Sequence, residues 1–316
     1  MARVIALLDA AGVDGIEIGY LTGLPGDHGL YKDTGICFAW TAERVAEAAS
    51  TYTTPLVGML HPAAAGPLDA RALAEAGLSL VRVPVTPGGD RAWRAVTDEL
   101  RSAGLPFTVN LTLASWADPE SVTACAGAAE QAGAGAFFLA DTNSALLPAQ
   151  VEEQFARLRD TVGLALGFHA HDGKGLALAN VLAAQRGGAR WADSSLAGLG
   201  RGAGNAATEV LHELTGRDAE ARHRLLRALP AVTSAFGADE NVRLWHQLCG
   251  FLDLWPPGID LFESAEAAGE TPDKYALLAE RLLGQHISLP QTAHDLRRLT
   301  GLGTRAPQGP PGVSEA

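Results

Sequence analysis

The sequence predicts an α/β fold: a barrel of parallel strands wrapped by helices, with a C-terminal helical domain after it. Three observations carry this reading. Short β-branched runs alternate with Ala-rich helical stretches from the start of the chain to residue 215. The βα units repeat roughly every 20 to 35 residues, a spacing that suits a (β/α) barrel better than a nucleotide-binding sheet. Beyond residue 215 the alternation stops and only helical patterning remains.

Taken in order, the chain opens inside a helix, Arg3–Ala11, which reads as the last turns of a βα unit without its strand. The predicted strands follow at Gly15–Tyr20, Leu56–Leu60, Leu80–Val85, Phe107–Leu113, Ala136–Asp141, Leu164–His171 and Trp191–Leu196. Helices are expected between them at Ala42–Ser50, Asp69–Ala76, Arg91–Ala103, Pro119–Ala132, Pro148–Val162 and Leu176–Gly187. Many of these end in Ala-Gly or Gly-Gly just before the next strand, where a left-handed glycine terminates a helix. Seven strands fall one short of a closed barrel of this type. The expectation is therefore a TIM-type barrel over residues 1–215 that lacks its first strand in this chain. Helices are expected at Ala219–Leu229, Asn241–Leu252, Ile259–Ala268, Pro272–Gly284 and Ser288–Leu299, forming a domain over residues 216–302. The Pro/Gly-rich tail, 303–316, is expected to be disordered.

Composition narrows the function. The chain carries 24 basic against 36 acidic residues, and no Lys/Arg cluster that could neutralise phosphates, which argues against nucleic-acid binding. No apolar run reaches the roughly 18 residues a membrane span needs, and the N-terminus lacks a cationic leader with a cleavage site. Cys37, Cys125 and Cys249 are odd in number and far apart, as reduced thiols of a cytoplasmic protein would be.

The most informative segment runs from Gly167 to Glu209. His169 and His171 are two apart on a predicted strand, so both imidazoles leave one face of the sheet. Leu166, Phe168 and Ala170 then pack on the outer helices while Gly167, His169 and His171 look into the bore. At the C-terminal end of a barrel strand such residues line the active site. Two neutral imidazoles on one face form half of a divalent-metal site. The alternative is a pair of hydrogen-bonded strand histidines. After the last strand, Gly198-Leu-Gly-Arg-Gly-Ala-Gly-Asn205 fails the G-x-G-x-x-G spacing in every register, so it is no dinucleotide fingerprint. Its glycines, Gly200 and Gly202 among them, let backbone approach a ligand closely. Asn205 could ligate a cation through its side-chain oxygen, or simply cap the next helix.

Other polar residues fall on inward positions. Glu17, between Ile16 and Ile18, points into the bore, where a carboxylate needs an arginine or a metal-linked partner; a solvent-facing Glu on an edge strand is the plainer reading. Arg82 could hold a substrate carboxylate or form a surface salt bridge. Asp141 and Thr142, at the end of the strand starting at Ala136, could bind substrate hydroxyls or form a turn.

The run H-x-H-D-x-x-G-L-A-x-A-N from His169, followed by D-x-S-L-x-G-x-G-x-G-A-G-N from Asp193, resembles the DRE-type TIM-barrel metallolyases, also called pyruvate-carboxyltransferase-like. Ala11-Gly-Val-Asp-Gly-Ile-Glu-Ile18 matches that family's second strand. The helical tail, including Leu261-Phe-Glu-Ser-Ala-Glu266, looks most like the 4-hydroxy-2-oxovalerate aldolases. The resemblance spans roughly residues 3 to 290. It implies a divalent ion, Mn²⁺ or Mg²⁺, on His169 and His171 and on Asn205. It further implies a keto-acid substrate and Lewis-acid stabilisation of the enolate released when an aldol C–C bond breaks. A homo-oligomer and an aldehyde dehydrogenase partner are also what the resemblance implies; the residues themselves are silent on both.

The sequence departs from the family pattern in three places. The Asp-x-Thr-Leu-Arg-Asp-Gly motif of the first strand, with a metal-ligating Asp, an enolate-stabilising Arg and a nearby basic His, has no counterpart. Trp-Pro-Pro-Gly stands near Leu254–Ile259 where an aldolase tyrosine is expected. Ser144 replaces a glycine after Asp141. An upstream start is the favoured account of the first departure, because a barrel short of one strand exposes two unpaired edges. The others are a degenerate relative acting as a binding or partner subunit, and a strand or acid supplied from elsewhere. The functional expectation is an aldolase-type lyase that cleaves a 4-hydroxy-2-oxo acid to pyruvate and an aldehyde. A non-catalytic homologue or a Claisen-type acyl-CoA synthase are the alternatives.

Overall fold

The structure is a computed structural model and describes residues 2–21, 40–62, 69–89, 92–200, 202–216, 220–221 and 224–225. Its elements run α1 (Ala2–Ala10), β1 (Ile16–Tyr20), α2 (Ala42–Thr51), β2 (Leu56–Met59), α3 (Ala70–Glu75), β3 (Leu80–Val85), α4 (Ala92–Ser102), β4 (Phe107–Leu111), α5 (Pro119–Ala132), β5 (Ala136–Asp141), α6 (Pro148–Arg159), β6 (Ala165–Ala170), α7 (Ala177–Gly187), β7 (Trp191–Asp193) and α8 (Thr208–Leu214). Every predicted strand and helix up to residue 187 is present, with ends shifted by a few residues. The last strand stops at Asp193 rather than Leu196, because Leu196–Gly198 turns into a single 3₁₀ turn. The helices expected beyond Ala219 and the tail lie outside the described residues, apart from Glu220, Ala221, Arg224 and Leu225.

The seven strands form one parallel sheet in chain order, β1 to β7, a TIM-barrel-like half-barrel. Each βα unit is built from local signals. In α5, the Asp118 carboxylate caps the Ser121 N–H at 2.7 Å, Pro119 occupies the first turn, and Gly133 ends the helix in the left-handed region. A cap of this kind is worth about 1 kcal/mol. The outward faces of the strands meet the helices in the main core. Val81, Val83, Val109, Phe137 and Phe168 are fully buried there, and Phe168 meets Phe155 of α6 edge to face with ring centres 5.6 Å apart.

The inward faces mix polar and apolar residues. The register links Glu17 to Val57, Met59 to Arg82, Arg82 to Thr108, Asn110 to Phe138, Ala140 to His169 and His169 to Asp193, so these residues share the bore side. Neighbouring strands sit about 4.8 Å apart, so in a flat sheet β3 would lie about 19 Å from β7 and about 10 Å from β1. Yet the one guanidinium of Arg82, on β3, reaches both Glu17 on β1 and Asp193 on β7. Only a sheet curled towards closure permits that. The outer layer curls with it: Val4, Leu7, Leu8 and Ala11, on or just after α1, pack with Leu196 and Leu199 beyond β7 and with Leu225. Among the described residues β1 and β7 do not pair with each other, and no helix is long and apolar enough to cross a membrane.

Candidate active site at the barrel mouth

His169 lies on β6 and His171 just beyond its end; their rings meet edge to face with centres 4.9 Å apart. The glycine-rich segment folds back over this strand end. His171 and Asn205 form an antiparallel bridge, Asp172 N–H donates to Gly204 O at 2.9 Å, and Asn205 N–H donates to Gly198 O at 2.8 Å. The structure therefore brings His169, His171 and Asn205, the three expected ligands, to one place.

Asn205 is not a helix cap. α8 starts at Thr208, and the residue preceding it, Ala207, makes no side-chain cap. The capping alternative fails because Asn205, bridged to His171, lies two residues before the N-cap position Ala207. Its amide donates from Nδ2 to Leu199 O at 3.3 Å, while Oδ1 is buried and accepts no hydrogen bond among the described residues. A buried amide oxygen without a donor is costly, and a cation would satisfy it. Gly200 makes room for this side chain: a Cβ there would stand 2.8 Å from Asn205 Cγ. Gly202 lies in the same loop with φ of +66° and makes the turn.

Two imidazoles and an amide oxygen suit a borderline or hard divalent ion, so these residues fit such a metal. Among the described residues, no group of three or more His, Cys, Asp or Glu is gathered to hold one.

Behind the histidines runs a buried ionic strut. Arg82 donates from Nη1 to Glu17 Oε2 at 2.6 Å and from Nη2 to Asp193 Oδ2 at 2.5 Å. With its amide oxygen turned to the guanidinium, Asn110 accepts from Nε at 2.9 Å and from Nη2. The guanidinium also lies over the Phe138 ring, 4.7 Å from its centre. Gly167 keeps that ring in place, since any Cβ there would run into it. Asp193 Oδ2 lies 3.0 Å from His169 Nδ1 as well.

Burial opposes the charge on Arg82, but Asp193 and Glu17 outweigh it and push the guanidinium pKa up. Burial likewise raises the Asp193 carboxyl, yet the Arg82 charge and the hydrogen bond with His169 hold it below the usual carboxylate range.

This geometry revises several expectations. Arg82 is neither an open carboxylate receptor nor a surface salt bridge, because its donors are spent on Glu17, Asp193 and Asn110 inside the bore. Glu17 does face inward and its cation partner is an arginine; no reacting group adjoins it among the described contacts. Asp141 is fully buried and its carboxylate accepts the N–H groups of Ala145 and Leu146 at 2.8 and 3.2 Å. Thr142 Oγ1 accepts from Leu113 N–H at 2.8 Å. Both build the turns of the mouth, as the turn reading of this segment had it. Ser144 holds the left-handed conformation (φ +56°) at the position where glycine was expected, and its Oγ accepts from Gly173 N–H at 2.8 Å. Asp193 and Asn110 were missed. Period-2 alternation on Trp191–Asp193, next to the histidine strand, was the available signal for Asp193.

Comparison with known proteins agrees with this geometry. Residues 90–225 match the HMGL-like family model. The chain is 34% identical over 212 residues to 4-hydroxy-2-oxovalerate aldolase 2 of Nocardia farcinica, covering 67% of this chain and 60% of that protein. It is 32% identical over 213 residues to 4-hydroxy-2-oxovalerate aldolase of Pelotomaculum thermopropionicum, covering 67% and 62%. The chain thus matches about three fifths of the length of these curated relatives. In fold it resembles the N-terminal domain of a putative aldolase from Bacteroides vulgatus, with a TM-score of 0.65 at 18% identity over 81% of this chain and 87% of that one. It also resembles the carboxyl transferase domain of Rhizobium etli pyruvate carboxylase, with a TM-score of 0.65 at 20% identity over 89% of this chain and 51% of that one. A histidine pair under a glycine-rich loop at the mouth of such a barrel, together with these matches, means that residues 90–225 of the chain belong to an HMGL-like, or pyruvate-carboxyltransferase-like, domain.

Proposed function

We propose that this protein is a metal-dependent aldolase that cleaves a 4-hydroxy-2-oxo acid to pyruvate and an aldehyde. The observation that carries the reading is that the His169–His171 ring pair lies at the strand end bridged by the backbone of Asn205, whose Oδ1 is buried and accepts no hydrogen bond among the described residues. These three residues would hold the divalent ion, Mn²⁺ or Mg²⁺. When bound, the ion supplies Lewis-acid polarisation of a 2-oxo group. The chain's own contribution is positional. The bridge between His171 and Asn205 sets the spacing of two ligands, and Gly200 lets the amide lie against the loop. Asp141, Thr142 and Ser144 lock the adjoining turns so that the mouth is rigid before substrate arrives.

The names of the curated relatives support the lyase direction over acyl-CoA condensation. A cytoplasmic location, a homo-oligomeric state and an aldehyde dehydrogenase partner for the aldehyde product belong to the same proposal. The test is pyruvate release from 4-hydroxy-2-oxopentanoate in Mn²⁺, alongside Mn²⁺ binding. Release that is lost with chelator and lost in His169→Ala and His171→Ala is the expected result. Mn²⁺ binding by either variant equal to the wild type would remove the metal assignment, and metal binding without pyruvate release would remove the substrate.

A further inference from the structure

We propose that Asp193 is a positioning residue that locks His169 in the Nδ1–H tautomer, so that Nε2 carries the lone pair. One carboxylate oxygen faces two nitrogens. Asp193 Oδ2 meets Arg82 Nη2 at 2.5 Å and His169 Nδ1 at 3.0 Å. A guanidinium is always charged and can only donate. The carboxylate facing it is therefore ionised and can only accept. Nδ1, within hydrogen-bond distance of that oxygen, must then carry the proton. A neutral imidazole has one N–H, so the lone pair falls on Nε2.

The lock is tertiary. Asp193 sits on β7 and His169 on β6, paired in register. Arg82 reaches Asp193 from β3 and is itself held by Glu17 from β1 and by the Phe138 ring. The imidazole cannot turn without breaking its bond to Asp193, and Asp193 cannot swing away without leaving a buried guanidinium short of one counter-charge. A histidine that ligates through one nitrogen is made both better oriented and more basic by a carboxylate on the other. Asp193 would thus prepare the ligand nitrogen before any cation arrives. The effect on metal affinity rests on the proposed metal reading; the tautomer does not.

The experiment uses metal-free, ¹⁵N-labelled protein at pH 8 and a long-range ¹H–¹⁵N spectrum, with the His169 signals identified by their loss in His169→Gln. The expected result is a protonated Nδ1 and a pyridine-like Nε2; a majority Nε2–H form overturns the proposal without reference to metal or folding of a variant. Mn²⁺ binding to Asp193→Ala, checked as folded by circular dichroism, is expected to weaken by about 10- to 100-fold. Asp193→Asn keeps an acceptor oxygen and is expected to fall between Asp193→Ala and wild type. Unchanged Mn²⁺ affinity in folded Asp193→Ala overturns the positioning role. A wild type that shows the Nδ1–H form yet binds no Mn²⁺ supports the tautomer and removes the metal reading alone.

Discussion

Replacing Arg82 with methionine should cost this barrel more than any other single polar change in the bore. The side chain is 8% exposed, and its charge is shared by Glu17 at 34% and Asp193 at 22% exposure. Without the guanidinium, Glu17 is the more able to turn to solvent, so its share of the loss is small. Asp193 keeps only the bond with His169, and Asn110, 2% exposed, loses a donor. Breaking a buried pair by removing one partner costs about 3–5 kcal/mol, and the solvent left to Glu17 favours the lower end. At about 2–4 °C per kcal/mol for a domain of this size, Tm should fall by about 6–12 °C. The assay is thermal unfolding at pH 7.5 of Arg82→Met, Asp193→Leu and the double variant. Because an apolar replacement of the whole pair removes the stranded charge, the double variant should be more stable than Arg82→Met. A Tm loss for Arg82→Met of less than about 2 °C, or losses that simply add in the double variant, would refute the idea that this ionic strut holds β1, β3 and β7 together.

Three further outcomes follow from the same contacts. Gly200→Ala places a Cβ 2.8 Å from Asn205 Cγ; Mn²⁺ affinity measured by titration should drop about tenfold, the scale of a displaced supporting group, while Tm barely moves. Ser144→Ala loses the Gly173 N–H bond and keeps the left-handed backbone, costing about 1 kcal/mol in denaturant unfolding. Ser144→Gly loses the same bond but sheds about 1 kcal/mol of backbone strain and should be near neutral. Finally, the Asp9 carboxylate accepts from Thr54 N–H at 2.7 Å and from Thr53 N–H and Oγ1 at 2.9 and 3.0 Å, and the hydrogen bonds from Thr54, then those from Thr53, hold its pKa below the usual value. A depressed folded pKa gives stability that is present above the unfolded value, about 3.9, and lost as pH falls through the folded one. Asp9→Asn should therefore lower Tm at pH 7 and narrow the Tm gap to wild type as pH is taken down through that range; a gap that widens in acid would contradict it.

Much of this protein is decided by local patterning. Period-2 runs and helix-ending glycines mark the elements because φ/ψ preference and face-by-face burial act within a few residues. His169 and His171 are legible as a pair for the same reason, since strand alternation alone puts them on one face. Asn205 was legible as a candidate ligand or cap but not in its geometry, because the choice between cap and bridge depended on where the glycine loop landed on β6. Arg82 was legible as an inward-facing residue but not in its partners. Its partners are 65 and 111 residues away in the chain, and nothing local says that a guanidinium on the third strand will meet acids on the first and seventh. Only the curl of the sheet decides that. The curl is set by how helices and strands pack all round the barrel, and it turned a presumed substrate receptor into the strut behind a histidine. Asp193 was hidden for the same reason: a three-residue strand shows which way its acid points, and the tertiary structure supplies the cation and the imidazole that it meets.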